Sequence, residues 1–117
     1  MRSTALAASL VAALALVGGC GGSGGGHKAS SGGGTVSVSM QGLRFHPDAI
    51  AARVGEAIVW TNDDSVDHNV TAASGASFHS RAFGHGGTFR FVPTKPGTVR
   101  YMCTLHSGMV GSIKVGS

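Results

Sequence analysis

The feature that most constrains the fold is a two-residue alternation of apolar and polar side chains that begins near Thr35. Val36, Val38 and Met40 alternate with serines, which is the period of a half-buried β-strand. From Thr35 onward, no stretch keeps a helical period over three turns. Comparable short apolar runs recur instead, at residues 57–60, 89–91, 99–103 and 113–115. The sequence therefore predicts an all-β domain, an antiparallel β-sandwich or barrel, over residues 35–117.

The first part of the chain has a different composition and predicts an export signal. Arg2 precedes a run over residues 5–17 that contains only apolar and small side chains. This run is shorter than the roughly 20 residues that a membrane-spanning helix needs. A basic start followed by such a run predicts a secretory signal peptide over residues 1–19. The folded domain is therefore expected outside the cytoplasm.

The end of the predicted signal peptide, Val17-Gly18-Gly19-Cys20, resembles a bacterial lipobox, in which the cysteine becomes the lipid-modified first residue. Cys20 is accordingly predicted to be a lipid anchor that holds the protein at a membrane. Residues 20–34 are rich in glycine and serine and predict a flexible tether. The alternative is an ordinary cleaved signal with an incidental cysteine.

Length and charge exclude several classes of protein. The chain has 117 residues, enough for one small domain, and 12% of them are charged, with a net charge of +4. It lacks a cluster of lysines and arginines, which is the signature of a nucleic-acid binder. It also lacks a recognisable nucleophile–base pair, phosphate-binding loop or carboxylate dyad. We therefore expect a monomer that binds no nucleic acid and is not an enzyme.

One loop at the end of a predicted strand combines three metal-binding side chains, Cys103, His106 and Met109. Upstream, His68 follows a turn-like segment over residues 62–65. Two imidazoles, a thiolate and a weak thioether suit copper, because nitrogen favours Cu(II) and sulfur favours Cu(I). Structural zinc would need four strong ligands, usually in paired-cysteine spacings that this chain lacks. The sequence thus predicts one bound copper ion.

The domain resembles the cupredoxins, the small blue-copper proteins that include plastocyanin, pseudoazurin and amicyanin. The resemblance implies a Greek-key β-sandwich with a type 1 copper site. It makes His68, Cys103 and His106 the equatorial ligands and Met109 the axial ligand, with a short ligand loop similar to that of amicyanin. The matching segments are Phe45-x-Pro47, Val54-Gly55-Glu56, Val59-Trp60-Thr61-Asn62, His68-Asn69-Val70, Cys103-x-x-His106-x-x-Met109 and Ile113-x-Val115.

The resemblance also implies roles for residues beside the ligands. Asn69 would tie the two ligand loops together and form a hydrogen bond near the Cys103 sulfur, which tunes such sites. His106, with Leu105 beside it, would be the edge through which electrons enter and leave.

The acidic residues near His68 and the remaining histidines of the domain are expected to have roles other than metal binding. Asp67 stands where amicyanin and plastocyanin often have proline, and its carboxylate is expected near the metal. Asp63 and Asp64 are expected to shape the preceding turn. Three further histidines fall outside the ligand pattern: His46, His79 and His85.

These features predict an extracytoplasmic type 1 copper protein that shuttles single electrons between redox partner proteins docked at the His106 face. Because the protein supplies all four ligands, no position stays open for a substrate. The alternative is a copper storage or delivery protein, for which we would expect an exposed tract rich in Met and His. His27 is the single His or Met residue in the tether, which argues against this alternative. A further alternative is a metal-free adhesion or scaffold module. It would give no reason for the spacing Cys103-x-x-His106-x-x-Met109.

Overall fold

The computed structural model describes residues 34–117. The predicted signal peptide, the Cys20 anchor and residues 21–33 of the tether lie outside this range. The described residues form two four-stranded β-sheets and no helix. Nothing among them is helical, long and apolar enough to cross a membrane. The strands are β1 Thr35–Met40, β2 Phe45–His46, β3 Ala49–Arg53, β4 Ala57–Asn62, β5 Thr71–Ser74, β6 Thr88–Phe91, β7 Gly97–Met102 and β8 Val110–Gly116.

The strand order is β2-β1-β4-β6 in the first sheet and β3-β8-β7-β5 in the second. The predicted all-β sandwich is confirmed, but its sheets are mixed rather than wholly antiparallel. β1 pairs with β4 in parallel, and so does β3 with β8. Each of these pairs is separated along the chain by at least one strand of the other sheet, which provides the crossover that parallel neighbours need. Side-chain alternation reports which face of a strand is buried and does not report strand direction.

The core lies between the two sheets and is centred on Trp60 and Tyr101. These two rings meet nearly perpendicular, with centroids 5.3 Å apart. Phe45 packs edge-on against Tyr101, with a centroid distance of 4.7 Å. On β1, Val38 and Met40 are buried, as their alternation predicts. Burial of each such side chain contributes about 1.5–3 kcal/mol, so these contacts hold the two sheets together.

The strands deliver all the predicted ligands to one end of the sandwich. β7 ends directly before Cys103, and β8 begins directly after Met109. In the other sheet, β4 ends at Asn62, whose fully buried amide donates from Nδ2 to the carbonyl oxygens of Val66 and Phe83, both at 2.8 Å. These bonds hold the connection after β4, which carries the upstream predicted ligand, against the same end.

Candidate metal centre

Three of the predicted ligands lie on the loop between β7 and β8. The loop closes on itself, because the N–H of Cys103 donates to the carbonyl of Met109 at 3.0 Å. The N–H of Met109 donates in turn to the carbonyl of His106 at 3.3 Å. Gly108 adopts a φ of 79°, a left-handed conformation that costs glycine little. The closed loop buries Cys103 and Met109 and leaves His106 half-buried.

His68 reaches the same place from the connection between β4 and β5. Its backbone forms a two-way bridge with Phe83, with N···O distances of 3.1 and 2.9 Å. Its ring is fully buried, and Nδ1 lies 3.8 Å from Sγ of Cys103. The potential ligand atoms of His68, Cys103 and His106 all lie within 4.8 Å of one another. The structure therefore gathers the three predicted equatorial ligands into one cluster.

The hydrogen bonds of the two imidazoles decide which ring nitrogen can bind a metal. Nε2 of His68 lies 2.8 Å from Oδ2 of Asp64. Nε2 of His106 lies 3.2 Å from the carbonyl oxygen of Asp67. A carboxylate and a carbonyl only accept hydrogen bonds, so each Nε2 carries the proton and each Nδ1 keeps its lone pair. Two free Nδ1 atoms, a buried thiol and the buried thioether of Met109 fit the donor set of type 1 copper.

The carboxylate of Asp64 is itself held in place by the turn between β1 and β2. Gly42 donates its N–H to Oδ1 at 2.8 Å, and Leu43 donates its N–H to Oδ2 at 3.0 Å. The bond from Leu43, followed by those with His68 and Gly42, lowers the pKa of Asp64 to about 2. Asp64 is therefore an ionised acceptor at neutral pH.

The sequence predicts a turn for Asp64, and it does not predict the contact with a ligand. Asp64 does shape the turn, since its own N–H donates to Oδ1 of Asn62 at 2.8 Å. Its bond to His68 depends on how two loops pack, and no local sequence signal reports that. Asp67, whose carboxylate is expected near the metal, contacts His106 through its backbone carbonyl. Asp63 accepts a hydrogen bond from the hydroxyl of Ser39 at 2.6 Å.

Asn69 joins the two ligand-bearing segments through hydrogen bonds from its backbone and its side chain. Its backbone N–H lies 3.4 Å from Sγ of Cys103. Its side-chain Nδ2 donates to the hydroxyl of Thr104 at 2.8 Å, and its Oδ1 accepts from the N–H of Thr104 at 3.0 Å. Oδ1 also accepts from the hydroxyl of Thr71 at 3.2 Å. The amide group thus forms hydrogen bonds to both ligand-bearing segments.

The other histidines of the described region form hydrogen bonds away from the ligand cluster. His46 contacts the carbonyl of Gln41 through Nε2 at 3.0 Å, and His79 contacts the hydroxyl of Thr71 through Nδ1 at 3.0 Å. His85 approaches the carbonyl of Asp64 through Nδ1 at 3.3 Å. All three are exposed and lie outside the ligand cluster, as their positions outside the motif predict.

Exposed apolar side chains accompany the ligand loops. Leu105, next to His106, is 49% exposed, and Val110, which follows Met109, is 59% exposed. Val66 is adjacent in sequence to the residue whose carbonyl contacts His106. We call Leu105, Val66 and Val110 the apolar rim of the site. Each member lies within two residues of a predicted ligand in the sequence.

Comparisons with known proteins agree with this chemistry. Residues 33–116 match the model of a family described as copper binding proteins of the plastocyanin/azurin family. Amicyanin-alpha of Methylorubrum extorquens is 29% identical over 86 residues, which cover 70% of this chain and 72% of that protein. The match to the family extends across both sheets and the whole ligand loop.

Solved structures show the same fold. A purple cupredoxin from Nitrosopumilus maritimus has a TM-score of 0.64 and 26% identity, covering 69% of this chain and 99% of that chain. A copper-containing nitrite reductase from Thermus scotoductus has a TM-score of 0.65 and 29% identity over 70% of this chain. The match spans only 22% of the reductase. With the ligand cluster and the family match together, this chain belongs to the plastocyanin/azurin family of copper-binding proteins.

Proposed function

We propose that this protein is an extracytoplasmic electron carrier that holds one type 1 copper ion and exchanges single electrons with redox partner proteins. The observation that carries the proposal is the uneven burial of the ligands. His68, Cys103 and Met109 are at most 2% exposed, whereas His106 is half-buried at the surface. One ligand therefore offers an electronic contact with solvent and partners, and the other three are shielded.

The arrangement of the ligands favours electron transfer over catalysis. A copper ion bound here supplies a one-electron couple between Cu(II) and Cu(I). The closed ligand loop and the bonds on both Nε2 atoms restrain the rings of His68 and His106 in either oxidation state. The ligand side chains then need to move little between the two oxidation states, so little reorganisation opposes electron transfer. The side chains of the protein fill the ligand positions, which leaves no site where a substrate would bind the metal.

The apolar rim is the proposed docking surface for redox partners. Leu105 is half-exposed beside His106, and apolar side chains are buried on docking without the cost of removing water from charged groups. A partner that presents an apolar surface near its own redox centre would seat its edge against His106. The storage alternative would require a site that releases copper, and the buried ligands argue against ready release.

The location of the protein is also part of the proposal. The support is the signal-like segment over residues 1–19 and the lipobox-like context of Cys20. A lipid on Cys20 would keep the domain near membrane-bound partners and raise their effective concentration. Mass spectrometry of the mature protein tests this, because a diacylglyceryl group on Cys20 predicts a defined mass increase that Cys20→Ser removes.

Electron self-exchange between two copies of the protein tests the docking face directly. The oxidised and reduced forms are mixed, and the exchange rate is taken from NMR line broadening. Leu105→Lys should slow exchange at least tenfold, because two like charges would meet at the apolar rim. Thr94→Lys adds the same charge at an exposed position in the loop between β6 and β7. In this loop the carbonyl of Pro93 accepts a hydrogen bond from the N–H of Gly55. The exchange rate of this variant should stay near that of the wild type. Equal rates in the two variants would contradict docking at this face.

A further inference from the structure

The ring of His68 is held between two partners of different chemistry. Its side chain has no solvent exposure. Nε2 lies 2.8 Å from Oδ2 of Asp64, and Nδ1 lies 3.8 Å from Sγ of Cys103. A neutral imidazole has one N–H and one lone pair, and an ionised carboxylate can only accept. The tautomer with hydrogen on Nε2 is therefore the one that satisfies the ring, and this tautomer presents a lone pair toward the thiol.

Asp64 is held in place by hydrogen bonds to groups of the protein other than His68. The N–H groups of Gly42 and Leu43 donate to its two oxygens, and its own N–H donates to the fully buried Asn62. Three bonds to two different segments leave the carboxylate little freedom to follow the ring. The ring must instead follow the carboxylate, so the orientation of His68 is set by the turn between β1 and β2.

We propose that Asp64 is a positioning residue of the copper site, which selects the metal-binding tautomer of His68 and stabilises Cu(II) relative to Cu(I). This inference rests on the proposed binding of copper through His68. Carboxylates that accept a hydrogen bond from a metal-bound histidine fix the ring and raise its basicity, and their loss typically costs about 10- to 100-fold in metal affinity. A more basic ligand with a negative charge behind it favours the more highly charged ion.

The neighbouring carboxylates are not placed for this role. Asp63 accepts a hydrogen bond from the hydroxyl of Ser39, a residue of β1. Asp67 is exposed and contacts His106 with its backbone carbonyl. Within residues 34–117, the pair between Asp64 and His68 is the one carboxylate contact to a basic side chain shorter than 4.0 Å. Asp63 therefore provides a matched control, since it is next in sequence and carries the same charge.

The first test uses the metal-free wild-type protein. Heteronuclear NMR of the imidazole nitrogens reports which nitrogen of His68 carries hydrogen. The proposal predicts hydrogen on Nε2 in the wild type and in Asp63→Asn, and a mixture of tautomers in Asp64→Ala. Hydrogen on Nδ1 in the wild type would overturn the proposal whether or not any variant folds. This readout needs no copper, so it stays informative even if the protein proves not to carry electrons.

The second test compares copper binding in the wild type, Asp64→Asn and Asp63→Asn. Asp64→Asn keeps the size of the side chain and removes its charge. The ratio of Cu(II) to Cu(I) affinity should fall about tenfold in Asp64→Asn, which corresponds to a rise of about 59 mV in reduction potential for a one-electron couple. Asp63→Asn should stay within about twofold of the wild type, because it lacks the contact to a ligand.

The outcomes of these tests separate the positioning role of Asp64 from the proposed function of the protein. Equal shifts in Asp64→Asn and Asp63→Asn would mean that only general charge matters, and would overturn the positioning role. No shift in either variant, with a blue wild-type protein, would also overturn it. A wild-type protein that binds no Cu(II) would refute the proposed function instead, and the tautomer of His68 would still decide the role of Asp64.

Discussion

The side chain of Asn69 and the backbone and hydroxyl of Thr104 form a reciprocal pair of hydrogen bonds across the metal site. Nδ2 donates to Oγ1 at 2.8 Å, and the N–H of Thr104 donates to Oδ1 at 3.0 Å. One bond partner follows a histidine ligand in the sequence and the other follows the cysteine ligand. The pair therefore holds together two segments that are 35 residues apart.

Removing this lock should weaken the protein before copper is added. Asn69→Ala should lower the free energy of unfolding of the metal-free protein by about 2–3 kcal/mol, because it leaves the N–H of Thr104 without its partner in a partly buried place. Thr104→Val keeps that N–H and loses only the hydroxyl, so about 1 kcal/mol is expected. Urea unfolding followed by the fluorescence of Trp60 measures both. A loss in Thr104→Val as large as that in Asn69→Ala would contradict this reading of the pair.

Gly111 is predicted to be intolerant of a side chain because of Tyr101. A Cβ added at Gly111 would overlap Cζ of Tyr101 and lie 2.5 Å from its Oη. Such contacts force the buried ring to move, so Gly111→Ala should destabilise the protein by about 3 kcal/mol. Gly116→Ala on the same strand is the control, since nothing lies within 4 Å of its added Cβ. Thermal unfolding of the two variants side by side measures the difference, and equal melting temperatures would contradict it.

The phenol of Tyr101 should make stability depend on alkaline pH. Burial, and secondarily the charge of Asp48, raises the pKa of Tyr101 from 10.0 to about 12. Above pH 10 the unfolded chain loses the phenol proton and the folded chain keeps it, so stability is complete below pH 10 and falls as pH rises toward 12. The expected loss is about 2–3 kcal/mol.

Tyr101 is the single tyrosine of the chain, which makes the measurement direct. Phenolate absorbance of the folded, metal-free protein should rise with a midpoint near 12, and that of the protein in urea should rise with a midpoint near 10. Coincident midpoints would show that the ring is not buried as described. The Tyr101→Phe variant, in turn, should lose the alkaline decrease in stability.

Asn62 should be a second stabilising polar residue at the metal end. Its fully buried amide donates to Val66 and Phe83 and accepts from Asp64. Asn62→Ala would leave the carbonyl of Val66 and the N–H of Asp64 without these partners and would remove one of the two hydrogen bonds to the carbonyl of Phe83. A loss of about 2–3 kcal/mol is therefore expected, against less than about 0.5 kcal/mol for Thr88→Ser at an exposed position of β6. Urea unfolding of the metal-free variants measures both, and a stable Asn62→Ala variant would contradict this role.

The sequence predicts those parts of the structure that depend on local patterns. The alternation in β1 and β7 reports the buried faces, with Val99 and Tyr101 inward and Arg100 outward. The metal-binding loop is also local, since Cys103 and its partners are only a few residues apart. β3, by contrast, went unpredicted, because the small side chains of Ala49–Arg53 give a weak apolar signal.

Features that depend on packing between distant segments could not be predicted. The parallel pairing of β1 with β4 has no local signature, because parallel and antiparallel strands share the same side-chain period. The bond from His68 to Asp64 depends in addition on the turn that contains Leu43, more than 20 residues upstream. Such contacts follow from the fold. They bring the carboxylate of Asp64, which the sequence predicts only to shape a turn, against the ring of His68.

The most direct test of the proposed copper site is a titration of the purified protein with Cu(II), followed by visible absorption and electron spin resonance, alongside Cys103→Ala. A type 1 site that includes Cys103 should give an intense blue or violet charge-transfer band with compressed copper hyperfine splitting, bleached reversibly by ascorbate and absent in Cys103→Ala. A pale spectrum with ordinary splitting in the wild type, or an unchanged spectrum in Cys103→Ala, would contradict a redox-active copper–thiolate site built from these residues.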